Sequence, residues 1–288
     1  MRFSKLITCL FVLFHSSYGK SVEISPAYGY HMKIGVPQAQ RILRAESLRT
    51  SRIVGGSAVP ALTAIPHQAG ILARLTGGQS SVCGGSLIST TRVLTAAHCW
   101  FDGQSQANQF TIVLGSLTIF SGGTRITTTD VTMHPSWNYL LNDIAMVKIT
   151  AVKLSNSIAL IPLPTTANVN LNFAGSTGTV SGFGKNSDAQ STFPTTTALH
   201  QTTVPIITNA VCQNSFKVTI ADSHLCTGGT GGKGTCDGDS GGPLTVLHQN
   251  KRILVGVVSF GPSEGCQAGS PSVFTRVTAF LTWINSHL

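Results

Sequence analysis

The sequence predicts an all-β protein closed by a short C-terminal helix, and three observations predict it. From residue 53 onward the chain is a succession of short alternating or β-branched runs: SLISTTRVLTAAHC, QFTIVLG, RITTTDVTMH, DIAMVKI, GTVSGFG, HQTTVPI and ILVGVVSFG. Gly, Pro, Asn and Ser break these runs, and many short strands separated by turn signals are the pattern of a β-sandwich or barrel. The final VTAFLTWINSHL differs, because it spaces Val277, Phe280, Leu281 and Ile284 along one face of a helix able to dock on the core. Third, 42% of the 288 residues are hydrophobic and 10% charged. That is enough apolar material for one large or two small globular units, and it is unlike a disordered or fibrous chain.

Taken in order, Met1 to Gly19 has a basic start (Arg2, Lys5), an apolar run from Leu6 to Phe14, and small residues Ser17 and Gly19 at a cleavage point. This reads as a signal peptide of residues 1–19, since the apolar run is too short to span a bilayer. No later segment reaches a membrane-spanning length, so a soluble, secreted mature protein is expected. Residues 20–52 show no sustained strand or helix pattern and end in the basic run LRTSR. Residues 53–288 carry the strands, with one short helix expected in TNAVCQNSF and no internal repeat or linker. The glycine-rich TGGTGGKGT, 227–235, lies between two cysteines and is read as a loop held in place.

The formal charge of +9 invites a nucleic-acid or membrane partner, but its distribution argues against both. Residues 1–52 hold eight Lys and Arg against two acidic residues, leaving eleven against eight beyond Arg52. The remaining basic residues are scattered singly, with no basic stripe interleaved with aromatics, so neither partner is expected. Of seven cysteines, Cys9 lies in the leader, and an even set of six in an exported chain argues for disulfides with 15 formal connectivities. No C-x-x-C or H-x-x-x-H pair suggests a metal, and no N-x-S/T sequon is present.

Ser240 stands in GTCDGDSGGPL, Gly234 to Leu244, flanked by carboxylates and glycines. A serine hydroxyl is a poor nucleophile at neutral pH and needs a base. His98 in LTAAHC follows an apolar strand-like run beside a cysteine able to pin it, and Asp143 in NDIAMVKI opens a strongly apolar run that would hold its carboxylate near the core. Taken singly, His98 also reads as a structural histidine and Asp143 as a strand-start turn residue.

Together with IVGG (53–56), TAAHC (95–99), DIAMVKI (143–149), CDGDSGGP (236–243) and SFG (259–261), these residues make the sequence resemble the chymotrypsin-like serine protease family over most of residues 53–288. The chain order His, Asp, Ser is that family's. In character the chain is most similar to arthropod digestive chymotrypsins and brachyurin-type enzymes. The resemblance implies two six-stranded antiparallel Greek-key β-barrels with the active site between them and a short C-terminal α-helix. It also implies that His98, Asp143 and Ser240 form a Ser-His-Asp triad, with roles carried over from the family: Ser240 the nucleophile, His98 its base and Asp143 the carboxylate that orients the base. Backbone N–H groups of Gly238 and Ser240 would form the oxyanion hole, each donor being worth about 3–4 kcal/mol in the transition state. The implied disulfides are Cys83 with Cys99, Cys212 with Cys226, and Cys236 with Cys266.

By the same resemblance, cleavage after Arg52 by a trypsin-like protease frees Ile53, whose ammonium pairs with Asp239 and orders the loop bearing Gly238 and Ser240. Residues 20–52 would then be an activation propeptide, free of cysteine, that leaves after cleavage. Gly234, Thr235, Ser259, Gly261 and Ser272 would line the substrate pocket. Gly234 supplies no charge at its base, which implies a preference for large apolar or aromatic side chains, with elastase-like or collagenolytic specificity as the alternative. Phe183 and Phe260 stand where many vertebrate relatives have tryptophan, and residues 114–125 hold no acidic residue, so no calcium site is expected there. No cofactor is expected. The expected partners are protein or peptide substrates and protein protease inhibitors. Nothing in the sequence calls for an oligomer, so a monomer is expected, in an extracellular setting such as a digestive lumen. Asp237 is read either as a rim charge favouring basic residues beyond the scissile bond or as an exposed loop residue. Other functional classes are a catalytically dead regulatory homologue, disfavoured by the intact triad, and an adhesion or lectin module, which leaves the Arg52–Ile53 junction unexplained.

Overall fold

The computed structural model describes residues 27–47, 57–58, 63–188 and 198–288; the signal-peptide residues 1–19 and the Arg52–Ile53 junction lie outside them. A turn at 27–30 and a wide helical turn, His31–Gly35, lead into α1 (Val36–Ser47). This corrects the expectation that residues 20–52 lack a helix. Val36, Ala39, Ile42 and Ala45 are all buried and recur every third residue, while Pro37 in the first turn suits a helix start.

The first sheet comprises β2 (Gln68–Leu75), β3 (Ser80–Ser89), β4 (Arg92–Thr95), β5 (Ala107–Leu114), β6 (Thr124–Thr128), β7 (Val131–Met133) and β8 (Ala145–Lys148), after a two-residue strand β1 (Ser57–Ala58) that joins the other sheet. Its order is β6-β5-β2-β3-β4-β8-β7, antiparallel throughout. The two ends of this order, β6 and β7, are separated in the chain only by Thr129 and Asp130, so the sheet curls back toward its own start.

The second sheet is β9 (Thr177–Gly182), β10 (His200–Ile207), β11 (His224–Thr227), β12 (Pro243–His248), β13 (Lys251–Phe260) and β14 (Ser272–Arg276), with a short helix α2 (Asn209–Gln213) between β10 and β11. The order β10-β11-β14-β13-β12-β9 closes through a β9–β10 pairing, which is a six-stranded barrel with β1 added at β10. Each sheet thus counts seven strands. The expected six appear when β6 and β7 are taken as one bent strand and β1 as an appendage.

Alternation explains why these sequences become strands. Along β5, Phe110, Ile112 and Leu114 point into the first core, while Val113 faces the opposite way and joins Val82, Ile119 and Phe183 beneath Ala39 and Ile42 of α1. The second core gathers Val180, Val204, Ile206, Leu225, Leu244, Val255 and Phe274. The tail forms a tight turn, Val277–Phe280, and then α3 (Leu281–Asn285). Val277, Phe280, Leu281 and Ile284 pack into the first core, and Arg92 of β4 donates to the His287 carbonyl at 2.6 Å. Among the described residues no helix is long and apolar enough to cross a membrane.

The barrels meet at backbone level. A Cβ at Gly84 of β3 would lie 2.9 Å from the Gly242 Cα, so only glycine lets the two chains come this close. Phe274 lies fully inside the second core, whereas Leu247 on β12 is exposed. Phe274→Ala is expected to cost about 3–5 kcal/mol in urea unfolding, and Leu247→Ala less than about 0.5 kcal/mol. Equal midpoints for the two variants would refute this placement of the core.

Candidate active site

The sequence leading to His98 folds as β4 followed by a single tight turn, Ala97–Cys99, which points the imidazole between the barrels. The Cys83–Cys99 disulfide pins that turn to β3. Asp143 sits just ahead of β8 and is buried with His98. The His98 backbone N–H donates to Asp143 Oδ1 at 2.9 Å, and ring Nδ1 lies 2.7 Å from Oδ2. The second barrel completes the carboxylate's shell: Ser259 Oγ donates to Oδ2 at 2.6 Å, and Thr275 Oγ1 donates to the Asp143 carbonyl at 2.7 Å.

Burial alone would raise the Asp143 pKa. Electrostatic attraction to His98 and hydrogen bonds from His98 and Ser259 overcome it and hold the carboxyl below its ordinary value. An ionised Asp143 against Nδ1 places that ring proton on Nδ1 and leaves Nε2 its lone pair. Among the described residues, Nε2 is buried with no hydrogen-bond partner.

Ser240 follows in a turn stitched to both barrels. Its carbonyl accepts from Gly84 N–H at 2.7 Å, and Gly241, at φ 82°, donates to Val258 O at 2.8 Å. The group against its hydroxyl is one that sequence reasoning missed. Tyr30 lines the same small cavity as Ser240, donates to the Val82 carbonyl at 2.7 Å, and sets its ring edge-on to His98 with centroids 4.7 Å apart. Burial pushes the Tyr30 phenol far up, so it stays a neutral donor. Nothing local in YGYHMKIG marks Tyr30 as belonging to the site, because its partners lie more than fifty residues away.

Asp239, the next carboxylate, is half-buried beside the glycines of SGFG. A Cβ at Gly182 would lie 2.0 Å from its Oδ1, so that loop must be small for the carboxylate to enter. Asp239 accepts from Gly184 N–H at 2.8 Å and from Cys236 N–H at 3.0 Å. Burial outweighs these two bonds, Asp237 adds like charge, and the pKa rises to about 6. The carboxylate borders a cavity of about 650 Å³ whose lining includes Ile65, His67, Gly182, His200 and Cys236.

The residues expected to line the substrate pocket divide. Thr235, Ser259 and Gly261 line a small cavity of about 80 Å³ beside Ser240, closed by Ala27, Tyr30 and Ile34. Gly234 lines the larger cavity instead. Gly234 and Ser272 are nevertheless neighbours: a Cβ at 234 would lie 3.0 Å from Ser272 Oγ, which accepts from Thr235 N–H at 3.3 Å. Gly238, at φ 100°, lies in the loop between Asp237 and Asp239. Asp237 is ion-paired with Lys185, so it does not stand as an unpaired charge at the rim. Cys212–Cys226 and Cys236–Cys266 are bonded, the latter tying the loop before Ser240 to the chain beyond β13. Two clusters bring Cys, His or Asp together, Cys83/His98/Cys99 and Asp188/Cys236/Cys266, but each includes a disulfide pair and so lacks thiolates.

The family model described as Trypsin matches residues 53–284. Brachyurin of Leptuca pugilator is 41% identical over 241 residues, covering 81% of this chain and 97% of that protein. A chymotrypsin of Phaedon cochleariae is 31% identical over 294 residues, covering 100% of this chain and 98% of its own length. A solved collagenase structure superposes with a TM-score of 0.73 at 34% identity, over 82% of this chain and 98% of that one.

The raised pKa of Asp239 has a definite sign in stability. An aspartate free in the unfolded chain titrates at about 3.9, below the folded value, so the stability Asp239 contributes is fully present below about pH 4 and is lost as pH rises through about 6. Over two pKa units this is on the order of 3 kcal/mol. Buried His31 and His67, lowered to about 4 chiefly by burial, give the opposite slope, so only a difference between variants isolates Asp239. Uncleaved Asp239→Asn is expected to lack this decline between pH 4 and 7 relative to wild type in urea titrations. Parallel pH profiles would exclude a half-buried, weakly compensated carboxylate at 239.

Proposed function

Because the chain belongs to the trypsin family of serine endopeptidases, we propose that His98, Asp143 and Ser240 hydrolyse peptide bonds in a secreted enzyme made as a zymogen and activated between Arg52 and Ile53. The observation that carries the catalytic reading is the His98–Asp143 contact at 2.7 Å, with imidazole Nε2 left unpartnered among the described residues. Nε2 takes the Ser240 proton as Oγ attacks the substrate carbonyl carbon, and Asp143 stabilises the imidazolium that forms. The negative oxygen of the tetrahedral intermediate lies against the N–H groups of Gly238 and Ser240. Collapse breaks the C–N bond, Nε2 returns the proton to the departing amine, and water then hydrolyses the acyl-Ser240 ester by the same route.

Activation draws its support from Asp239. A half-buried carboxylate with two backbone donors and a neighbouring negative charge has no counter-cation among the described residues, and the adjoining cavity gives the freed Ile53 ammonium room to arrive. Residues 1–19 act as the signal peptide, 20–52 as the propeptide and 53–288 as the catalytic domain. A trypsin-like protease makes the cut, and protein inhibitors bind the mature monomer in an extracellular, digestive setting.

The preference is chymotrypsin-like, for large apolar or aromatic side chains, since Gly234 beside Ser272 offers no charge for Lys or Arg. Collagenolytic specificity is the second reading, favoured by the solved collagenase neighbour.

Arg52→Gln is expected to leave a chain that trypsin cannot activate, whereas wild type gains peptidase activity and organophosphonate labelling of Ser240 only after trypsin treatment. Labelling of untreated wild type, or activation of Arg52→Gln, would overturn the activation scheme. On peptide amides, the activated enzyme is expected to favour Phe or Leu over Arg by at least about tenfold in kcat/KM. A reversed ratio would remove the specificity assignment.

A further inference from the structure

We propose that residues 27–47 are a folded inhibitor of the cleft, which stays bound after the Arg52–Ile53 cut and silences the newly formed enzyme until it dissociates or is digested. This deepens the reading of Ser240 as the nucleophile and rests on it. The segment spans the site through four separate contacts. Tyr30 covers the reacting groups, with its side chain in the small cavity beside Ser240, its phenol on Val82 O and its ring against His98. Beside it, Ala27 and Ile34 close the small cavity that Gly261 and Ser259 share with Ser240.

His31 forms the second contact. Its backbone N–H donates to Asp102 Oδ2 at 2.7 Å and its ring Nδ1 lies 2.8 Å from Ser81 Oγ. Asp102 is itself buried and fixed by the N–H groups of Gln104 and Ser105, so it is a preformed acceptor for the incoming chain. The third contact is apolar: Ala39 and Ile42 pack with Ile65, Val82, Val113 and Ile119. The fourth lies at the far end of α1, where the Glu46 carboxylate accepts from the N–H groups of Ile119 and Phe120 at 2.9 and 3.1 Å and from Ser121 Oγ at 2.9 Å. An anion on paired backbone N–H groups is a directional anchor, and this one sits in a stretch, residues 114–125, that has no carboxylate of its own.

The docked segment is also a poor substrate. A protease reads an extended chain that adds to a strand edge, with a carbonyl turned to the nucleophile. Tyr30 is helical, at φ −50° and ψ −47°, and presents its side chain to Ser240. The nearby Gly29 carbonyl already accepts from Lys33 N–H at 3.2 Å, and the Tyr28 carbonyl from Lys33 Nζ at 3.0 Å. A segment without cysteine, held by non-covalent contacts, leaves by dissociation, so its grip depends on concentration.

The test uses the full chain. Trypsin recognises Lys33, Arg41 and Arg44 as well as Arg52, so the junction is recoded for enteropeptidase by Leu48→Asp, Arg49→Asp, Thr50→Asp, Ser51→Asp and Arg52→Lys. After complete cleavage at micromolar concentration, native mass spectrometry is expected to find the propeptide bound. Activity on a small Phe or Leu amide is expected to rise at least about tenfold on about 100-fold dilution, or on trypsin digestion of the propeptide. Tyr30→Ala and Glu46→Gln, each in the recoded chain, are expected to start near the digested level without dilution. Loss of the propeptide at the moment of cleavage, or activity per chain independent of dilution and digestion, would overturn the proposal. An intact Ile53 terminus with no activity even after digestion would instead sink the peptidase reading beneath it.

Discussion

A carboxylate kept from water between the two barrels sets the geometry on which the rest of this molecule depends. Asp143 belongs by sequence to the first barrel, yet its shell is drawn from both: His98 N–H and Nδ1 from the first, Ser259 and Thr275 hydroxyls from β13 and β14 of the second. Taking a charge out of water is costly unless every lone pair finds a donor. The barrels must therefore dock in the one relation that brings these donors together. That same relation sets Gly84 of β3 against the backbone of Ser240 and Gly242. Positioning of Ser240 follows from satisfying a buried acid more than forty residues from the histidine and nearly a hundred from the serine.

Asp239 shows what happens when the shell is incomplete. It is only partly buried, where Asp143 is almost fully enclosed, and its donors are two backbone N–H groups while its neighbour Asp237 repels it. The two aspartates consequently shift in opposite directions from one ordinary value, down for Asp143 and up for Asp239. The saturated one is fixed in place. The unsaturated one has a large free-energy response to a cation, which is the property a switch needs. Asp237, with its charge already matched by Lys185, has neither property.

Much of this was legible in the sequence, for physical reasons. Strand runs could be read because a pleated chain puts alternate residues on opposite faces, and the terminal helix because Val277, Phe280, Leu281 and Ile284 share a face. The residue roles at His98, Asp143 and Ser240 came from motif order in a family resemblance and could not have come from local spacing. What was not legible depended on distant partners. Ser259 read as pocket lining, whereas it also donates to Asp143, 116 residues away. The helix α1 was missed because its buried face is weak, two alanines among Val36 and Ile42, interrupted by Gln and Arg. Such a face becomes a binding surface only against β3, β5 and residues 117–120, which no local reading can supply.

The placement of α1 also bears on how the proposed latency would be built. The segment grips mostly the first barrel, at Ser81, Val82, His98, Asp102 and Ile119–Ser121, whereas the unsaturated acid lies in the second barrel's loop at Asp239. A chain that orders its oxyanion loop by chance before cleavage still has Tyr30 on Ser240. A chain whose segment lifts away by chance still has Asp239 without a cation. When two blocks act on different barrels, leakage requires both to fail at once, and the active fraction approaches the product of the two small populations. Tyr30 and Gln38, which reach across to Ser240 and to the loop at Gly238, are the points where the two blocks touch.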